Sequence, residues 1–268
     1  MTEHYHPKWC ILIYSILGFF IAYSGIKLNP EIDREGLEAM NGFFQDLKRS
    51  GRDIYEIRRI PEIYKVLLYI IIRGALVPSF GDFWYYYVIN VKEFTQFQYG
   101  MMSVVGNIAL MIGAALYSKY FFKWEFRYIL TVSNLISFVG GVLGAAFVLD
   151  LHKIIGMSDY FFYGIQNFFI GALFMAFFDL PMMVLFAKVI PKNIEGTVFA
   201  FLTGTINFSN GVLSPLIGSM INDAFLGVTT ENMKTSNMIT LNWLETFSAL
   251  LPIVFLGLIP LKSKVAKL

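Results

Sequence analysis

Apolar residues run through this chain in long blocks with few or no charges, separated by polar connections, and the blocks have the length of membrane helices rather than of core strands. The first, Trp9 to Ile26, carries no charge. Others follow at 62–91, 94–118, 128–149, 160–189, 196–222 and 238–261. A helix needs about 20 residues to cross a bilayer, so the pattern predicts seven transmembrane helices. The stretch 27–65 breaks the pattern. It mixes Lys48, Arg49, Arg52, Arg58 and Arg59 with acids, while Ile54, Ile57, Ile60 and Ile63 can share one face, which predicts an amphipathic helix on the membrane surface.

The block from Gly196 to Asn222 is unlike the others. Thr203, Asn207, Asn210 and Ser214 recur at helical spacing, with Gly204, Gly211 and Gly218 beside them. Lipid offers such groups no partner, so a small polar stripe packs against other helices or faces a wet cavity. Glycines at 100, 106 and 113, and the cluster Gly140, Gly141 and Gly144, read as sites of close helix packing.

Composition agrees with the pattern. Of 268 residues 56% are hydrophobic and 15% charged, and the mean hydropathy is +0.60, outside the range of soluble domains. A net charge of +2 suggests no nucleic-acid partner. The single cysteine, Cys10, excludes an intrachain disulfide. His4, His6 and His152 are too sparse for a metal site, and no cofactor motif is present. Without a phosphate loop or a nucleophile–base set, the chain reads as a non-enzyme.

Charge also predicts orientation. One alternate set of connections carries the basic residues of 27–65, Lys119, Lys123, Arg127, Lys188, Lys192 and the tail Lys262, Lys264 and Lys267, whereas the other holds only Lys8, Lys92, Lys153 and Lys234. Basic connections stay cytoplasmic, which places the N-terminus outside and the C-terminus inside.

Ionisable residues within spans are costly and mark a pathway or a structural charge pair. Arg73 and Asp179 each lie about ten residues from the same predicted face, roughly 15 Å deep at 1.5 Å per residue, so they are expected to share a level. Asp82, in the aromatic run GDFWYYY at 81–87, reads either as an interfacial carboxylate or as the partner of a flat ring stacked on aromatics. Glu195, at a helix start near Lys188 and Lys192, reads either as a cap or as part of a charged gate. Pro78 and Pro181 interrupt their helices.

Pro191, Glu195-Gly196-Thr197, Phe199-Ala200, Gly204 and Asn207, followed by Leu226-Gly227-Val228-Thr229 and Asn232, resemble the folate–biopterin transporter family of the major facilitator superfamily. A looser likeness covers Pro78-Ser79, where Val77 stands in place of an expected Thr. The resemblance runs from about Ile60 onward. It implies an all-α, multi-pass fold equivalent to the C-terminal six-helix bundle of a twelve-helix transporter. Residues 1–28 would then match the sixth helix, 29–61 the basic central linker, and 62–268 the bundle. It further implies a transporter of folate or pterin solutes by alternating access, the other half supplied by a second chain or a second copy. On this reading Arg73, Asp82, Asp179, Thr203, Asn207 and Asn210 contact substrate, and Glu195, Lys188 and Lys192 gate. Two other classes stay open at this point, a structural membrane subunit and a heptahelical receptor.

Overall fold

The computed structural model describes residues 60–190 and 195–262, with the Glu195 side chain excepted, and Gly51, Tyr55 and scattered positions between Leu12 and Ser24. The chain divides into two units, Met1–Tyr55 and Glu56–Leu268. In the first unit the described residues are helical. Of the expected amphipathic segment 29–61 only Gly51 and Tyr55, both helical, and Ile60 and Pro61 are described, with Ile60 extended ahead of a new helix; Lys192 and the basic tail beyond Lys262 lie outside the described residues.

The second unit is an all-α bundle. Its elements are α1 (Pro61–Asn90), α2 (Gln96–Phe121), α3 (Phe126–Val148), α4 (Asp159–Val189), α5 (195–226) and α6 (Thr235–Leu258). All but α5 are long and apolar enough by composition to cross a membrane, and α5 is helical over 195–226 without interruption. The chain is a multi-pass membrane protein.

Local sequence explains the element limits. Pro61 opens α1, where a missing N–H costs nothing. α2 begins with a capping box in which Gln98 N–H donates to Thr95 Oγ1 at 3.2 Å and Thr95 N–H donates to Gln98 Oε1 at 2.9 Å. Ser158 caps α4 by accepting from Phe161 N–H. Prolines shape the interiors, because each lacks the N–H that its helix would use. Residues Met175–Asp179 and Ser209–Leu213 widen into π-type turns ahead of Pro181 and Pro215. At Pro78 the helix breaks outright: Val77 becomes extended, as a residue before proline prefers, and helix resumes at Gly81.

That break is repaired from outside. The Ser214 hydroxyl donates to the freed Val77 carbonyl, and Ser79 N–H donates to the Ser214 carbonyl at 3.1 Å. One turn earlier, Ser209 Oγ donates to the Ile70 carbonyl at 2.8 Å. The backbones come so close that a Cβ on Gly74 would collide with Ser209 and one on Gly218 with the Ser79 carbonyl. α1 and α5 therefore form one seam of small residues. The other neighbours are α2 with α4, α4 with α3, α3 with α6, and α6 with α1. The close packing expected of glycines holds at Gly113, which meets α4, and at Gly141 and Gly144, which meet Thr246 and Asn242 of α6; at Gly100 and Gly106 nothing approaches.

Each end of the bundle is tied. At one end, Arg127 donates to the carbonyls of Ile259 at 2.6 Å and Gly257 at 3.0 Å, and the Lys262 ammonium donates to the Phe122 carbonyl at 2.6 Å. At the other, the connection after α5 folds inward. Gly227 takes the left-handed conformation at φ 59°, Asn222 exchanges two hydrogen bonds with Val228, and Val228 packs among Phe80, Tyr87, Phe94 and Phe147. The residues Leu226-Gly227-Val228 thus serve as a plug.

The seam makes a direct prediction. Gly218→Ala should lower the unfolding free energy by about 1–3 kcal/mol through overpacking. Gly204→Ala, where nothing lies within 4 Å, should leave it unchanged or raise it by less than about 1 kcal/mol. Denaturation of the two variants in micelles reads the difference.

Candidate functional site

All six helices line a cavity of about 800 Å³. Its wall carries six side-chain amides: Asn107 from α2, Asn134 from α3, Gln166 and Asn167 from α4, Asn210 from α5 and Asn242 from α6. The polar lining also includes Ser79, Ser103, Ser137, Ser214, Thr246, Tyr163 and the Trp84 ring, and only Arg73 and Glu245 carry charge.

The amides are held in one orientation. Gln166 Nε2 donates to the Gly140 carbonyl at 3.2 Å and Asn242 Nδ2 to the Gly141 carbonyl at 3.0 Å, both across to α3. Asn134 Nδ2 donates to Leu130 and Asn167 Nδ2 to Tyr163, each at 2.7 Å within its own helix. A backbone carbonyl only accepts, so in each case the amide nitrogen is the end that is pinned and the oxygen is left to accept. Gln166 Oε1 is buried without any partner. The wall is consequently rich in acceptors and offers a donor-bearing ligand what it lacks.

Arg73 is the cavity's cation. Its guanidinium lies over the Phe178 ring at 4.2 Å and donates to Asn210 Oδ1 at 3.3 Å, while Nε is buried with no partner. Asp179 feels the Arg73 charge but makes no direct ion pair with it, and it stands outside the cavity lining, in the wide turn ahead of Pro181. Asp82 is exposed and does not line the cavity; of the aromatic run beside it Tyr87 is fully buried, Phe83, Trp84 and Tyr85 are half-buried and Tyr86 is exposed, and Trp84 alone of these rings reaches the cavity.

The polar stripe of α5 divides. Asn210 and Ser214 line the main cavity, whereas Thr203 and Asn207 line a second, shallower hollow of about 700 Å³ with Gly196, Phe199, Ala200 and Gly204. The wide turn Ser209–Leu213 contains Asn210 and precedes Ser214, so the change from one hollow to the other falls at its start. Of the proposed gate, Lys192 and the Glu195 side chain lie outside the described residues. Lys188 is part-buried and close enough to Lys262 that, after burial, its charge helps lower the Lys262 ammonium's pKa.

Glu245 and the amides of α3, α4 and α6 were not singled out from the sequence. The available signal was polarity inside a span: Asn134, Gln166, Asn167, Asn242 and Glu245 all fall within helices that satisfy the membrane-span criterion.

A second polar group closes the end of the bundle opposite Lys262. Lys92, after α1, pairs with Asp150 at 2.6 Å and lies 3.8 Å from Asp159; Lys153 pairs with both, at 2.9 and 3.2 Å. His152 is buried, with Nε2 2.6 Å from Asp159 and its ring stacked on Phe162 and Phe147. Asp150, His152 and Asp159 have the grouping of a metal site, but the two ammoniums already claim the carboxylate oxygens. Burial pushes the Asp150 carboxyl up, and the hydrogen bonds from Lys92 and Lys153 outweigh it, so its pKa is held below the ordinary carboxylate value. Hydrogen bonds to Asp150 and Asp159 raise the Lys153 ammonium.

With this geometry in view the comparisons with known proteins are specific. The BT1 family pattern matches residues 9–267. The chain belongs to the BT1 family, that of the folate–biopterin transporters. It is 31% identical over 183 residues to the "Folate-biopterin transporter" of Synechocystis sp., covering 68% of this chain and 36% of that protein. It is 28% identical over 253 residues to "Probable folate-biopterin transporter 6" of Arabidopsis thaliana, covering 91% and 47%. It is 23% identical over 257 residues to "Folate transporter 1" of Plasmodium falciparum, covering 96% and 48%. The chain thus spans half or less of the length of these relatives. No solved structure matches it. Membership sets aside the receptor reading and agrees with a non-enzyme.

The ion-pair group generates a pH prediction. A depressed carboxylate contributes stability above its unfolded pKa, about 3.9, that is lost as pH falls through the folded value. A raised ammonium contributes below about 10.4 and loses its contribution as pH rises through the folded value. Lys92→Met should therefore cost about 1–3 kcal/mol near pH 7, and the gap to wild type should narrow below about pH 4. Thermal unfolding in micelles across pH checks both.

Proposed function

We propose that this chain provides one six-helix bundle of a transporter for folate- or pterin-type solutes, working by alternating access with a second bundle supplied by another chain or another copy. The observation that carries the reading is the cavity: six amides, one arginine and one glutamate drawn from all six helices of a family whose members are named as folate and folate–biopterin transporters. A pterin ring carries an amide N–H and an amino group on one edge and flat faces on either side, which suit acceptor oxygens and the Trp84 ring. A folate adds carboxylates, for which Arg73 is the fork-shaped partner.

Asp179 on this reading balances the Arg73 charge when the site is empty. Asn210 holds the guanidinium in place. Thr203 and Asn207, in the second hollow, would meet the opposing bundle rather than the solute. Asp82 lies too far onto the surface to serve the cavity. The bilayer is the immediate partner of the apolar exterior. The end carrying Lys119, Lys123, Arg127, Lys188 and Lys262 faces the cytoplasm by the distribution of basic residues, leaving the Lys92–Asp150 end outside. Lys188, Lys192 and Glu195 would gate from the cytoplasmic side.

Equilibrium binding of labelled folate to the purified, folded chain tests the reading. Saturable binding is expected, and Arg73→Gln should weaken it by about 10-fold or more, the worth of a lost charge-assisted hydrogen bond. Absence of binding to folded wild-type protein would overturn the assignment in favour of a structural subunit.

A further inference from the structure

The cavity holds two charges that do not neutralise each other. Arg73 has Asn210, the Phe178 ring and the nearby Asp179 charge. Glu245 has none of these. Among the described residues it makes no ion pair, and the group it faces is the Phe80 backbone N–H. That N–H belongs to the segment where α1 breaks at Pro78, so the carboxylate looks onto a neutral donor and the open cavity, with no cation in reach. A carboxylate placed this way inside a membrane bundle is expensive unless something else supplies hydrogen-bond donors.

Position on α6 adds a second argument. Asn242, Glu245, Thr246 and Ala249 all line the cavity, at spacings of three, one and three that make one helical face. Thr246 Oγ1 donates back to the Asn242 carbonyl at 2.6 Å, and Asn242 is clamped by its amide to Gly141. α6 is therefore seated on α3 through Gly141 and Gly144, with Glu245 between two residues that cannot turn away. The Trp84 ring packs against Gly144 at the same wall. An apolar plane and an anchored carboxylate are thus offered together from α1 and α6.

We propose that Glu245 is the specificity-determining residue of the cavity, receiving the paired N–H donors of a 2-amino-4-oxo heterocycle in two parallel hydrogen bonds. The inference rests on the pterin reading above and refines it, because it assigns which end of the solute meets which helix. The ring's donor edge meets α6, and any appended carboxylate is left for Arg73 on α1. The free Oε1 of Gln166 adds an acceptor in the same cavity. In a pterin the ring N3–H and the 2-amino group lie side by side and match the two oxygens of one carboxylate. In lumazine, where oxygen replaces the 2-amino group, one of those bonds becomes a carbonyl facing a carboxylate. A site built to accept hydrogen bonds rejects such an analogue strongly, since its buried acceptors are left unpaired.

The experiment compares equilibrium binding of pterin and of lumazine to the purified full chain, wild type and Glu245→Gln. The expected result is that wild type prefers pterin by about 10-fold or more, and that Glu245→Gln reduces the preference to within about 3-fold while its unfolding profile stays that of wild type. Glu245→Asp, which keeps the carboxylate, should bind more weakly and retain the preference, and it serves in place of the Gln variant if that one does not fold. Equal binding of pterin and lumazine to wild type overturns the inference, as does a preference that persists unchanged in Glu245→Gln. Failure of folded wild type to bind pterin or folate at all would instead overturn the pterin reading itself, so the two failures are distinguishable.

Discussion

Water cannot reach the backbone in the middle of a bilayer, so every carbonyl that a proline sets free has to be answered by protein. The break at Pro78 is where this demand is greatest, and the answer is Ser214 from α5. Much else depends on that repair. It requires α1 and α5 to touch backbone to backbone, which only Gly74, Ser209 and Gly218 allow. It also turns the Phe80 N–H toward Glu245 and brings Trp84 to the cavity wall. Arg73, one turn before the break, is carried to Asn210 by the same contact.

The helical blocks and their limits were legible in the sequence because apolar length and cap chemistry are local properties. Spans from Pro61 to Val189 and over Thr235–Leu258 fall where hydropathy places them, and Pro78 and Pro181 perturb their helices as proline chemistry requires. The family was legible as well, from the Glu195–Asn207 and Leu226–Asn232 signatures. What these residues do was less so. Gly227, Val228 and Asn232 shape a plug, and a conformation of φ 59° explains the glycine without any ligand.

The site was read in part. Arg73 and Asn210 meet at the cavity, as polar residues in spans suggest. The Thr203–Ser214 stripe serves two hollows rather than one, because a helix this long passes more than one level of the bundle, a fact of packing that spacing does not record. Asp82 stands out in the sequence as a charge among aromatics, yet it is exposed, and from that run the fold uses Tyr87 for the core and Trp84 for the cavity wall. Glu245 was visible as the single charge of its span. Its significance depends on having no ion-pair partner among the described residues, which is a fact of three dimensions and leaves no periodic trace.

The ion-pair group around Lys92 has a mechanical consequence. It fastens the tail of α1, the tip of α3 and the head of α4 through contacts of 2.6 to 3.8 Å, with the His152 ring packed against both Phe147 and Phe162 behind it. Three levers bolted at one end cannot swing separately. Any movement of these helices at that end must either carry all three as a single plate or shear the whole set of charges at once.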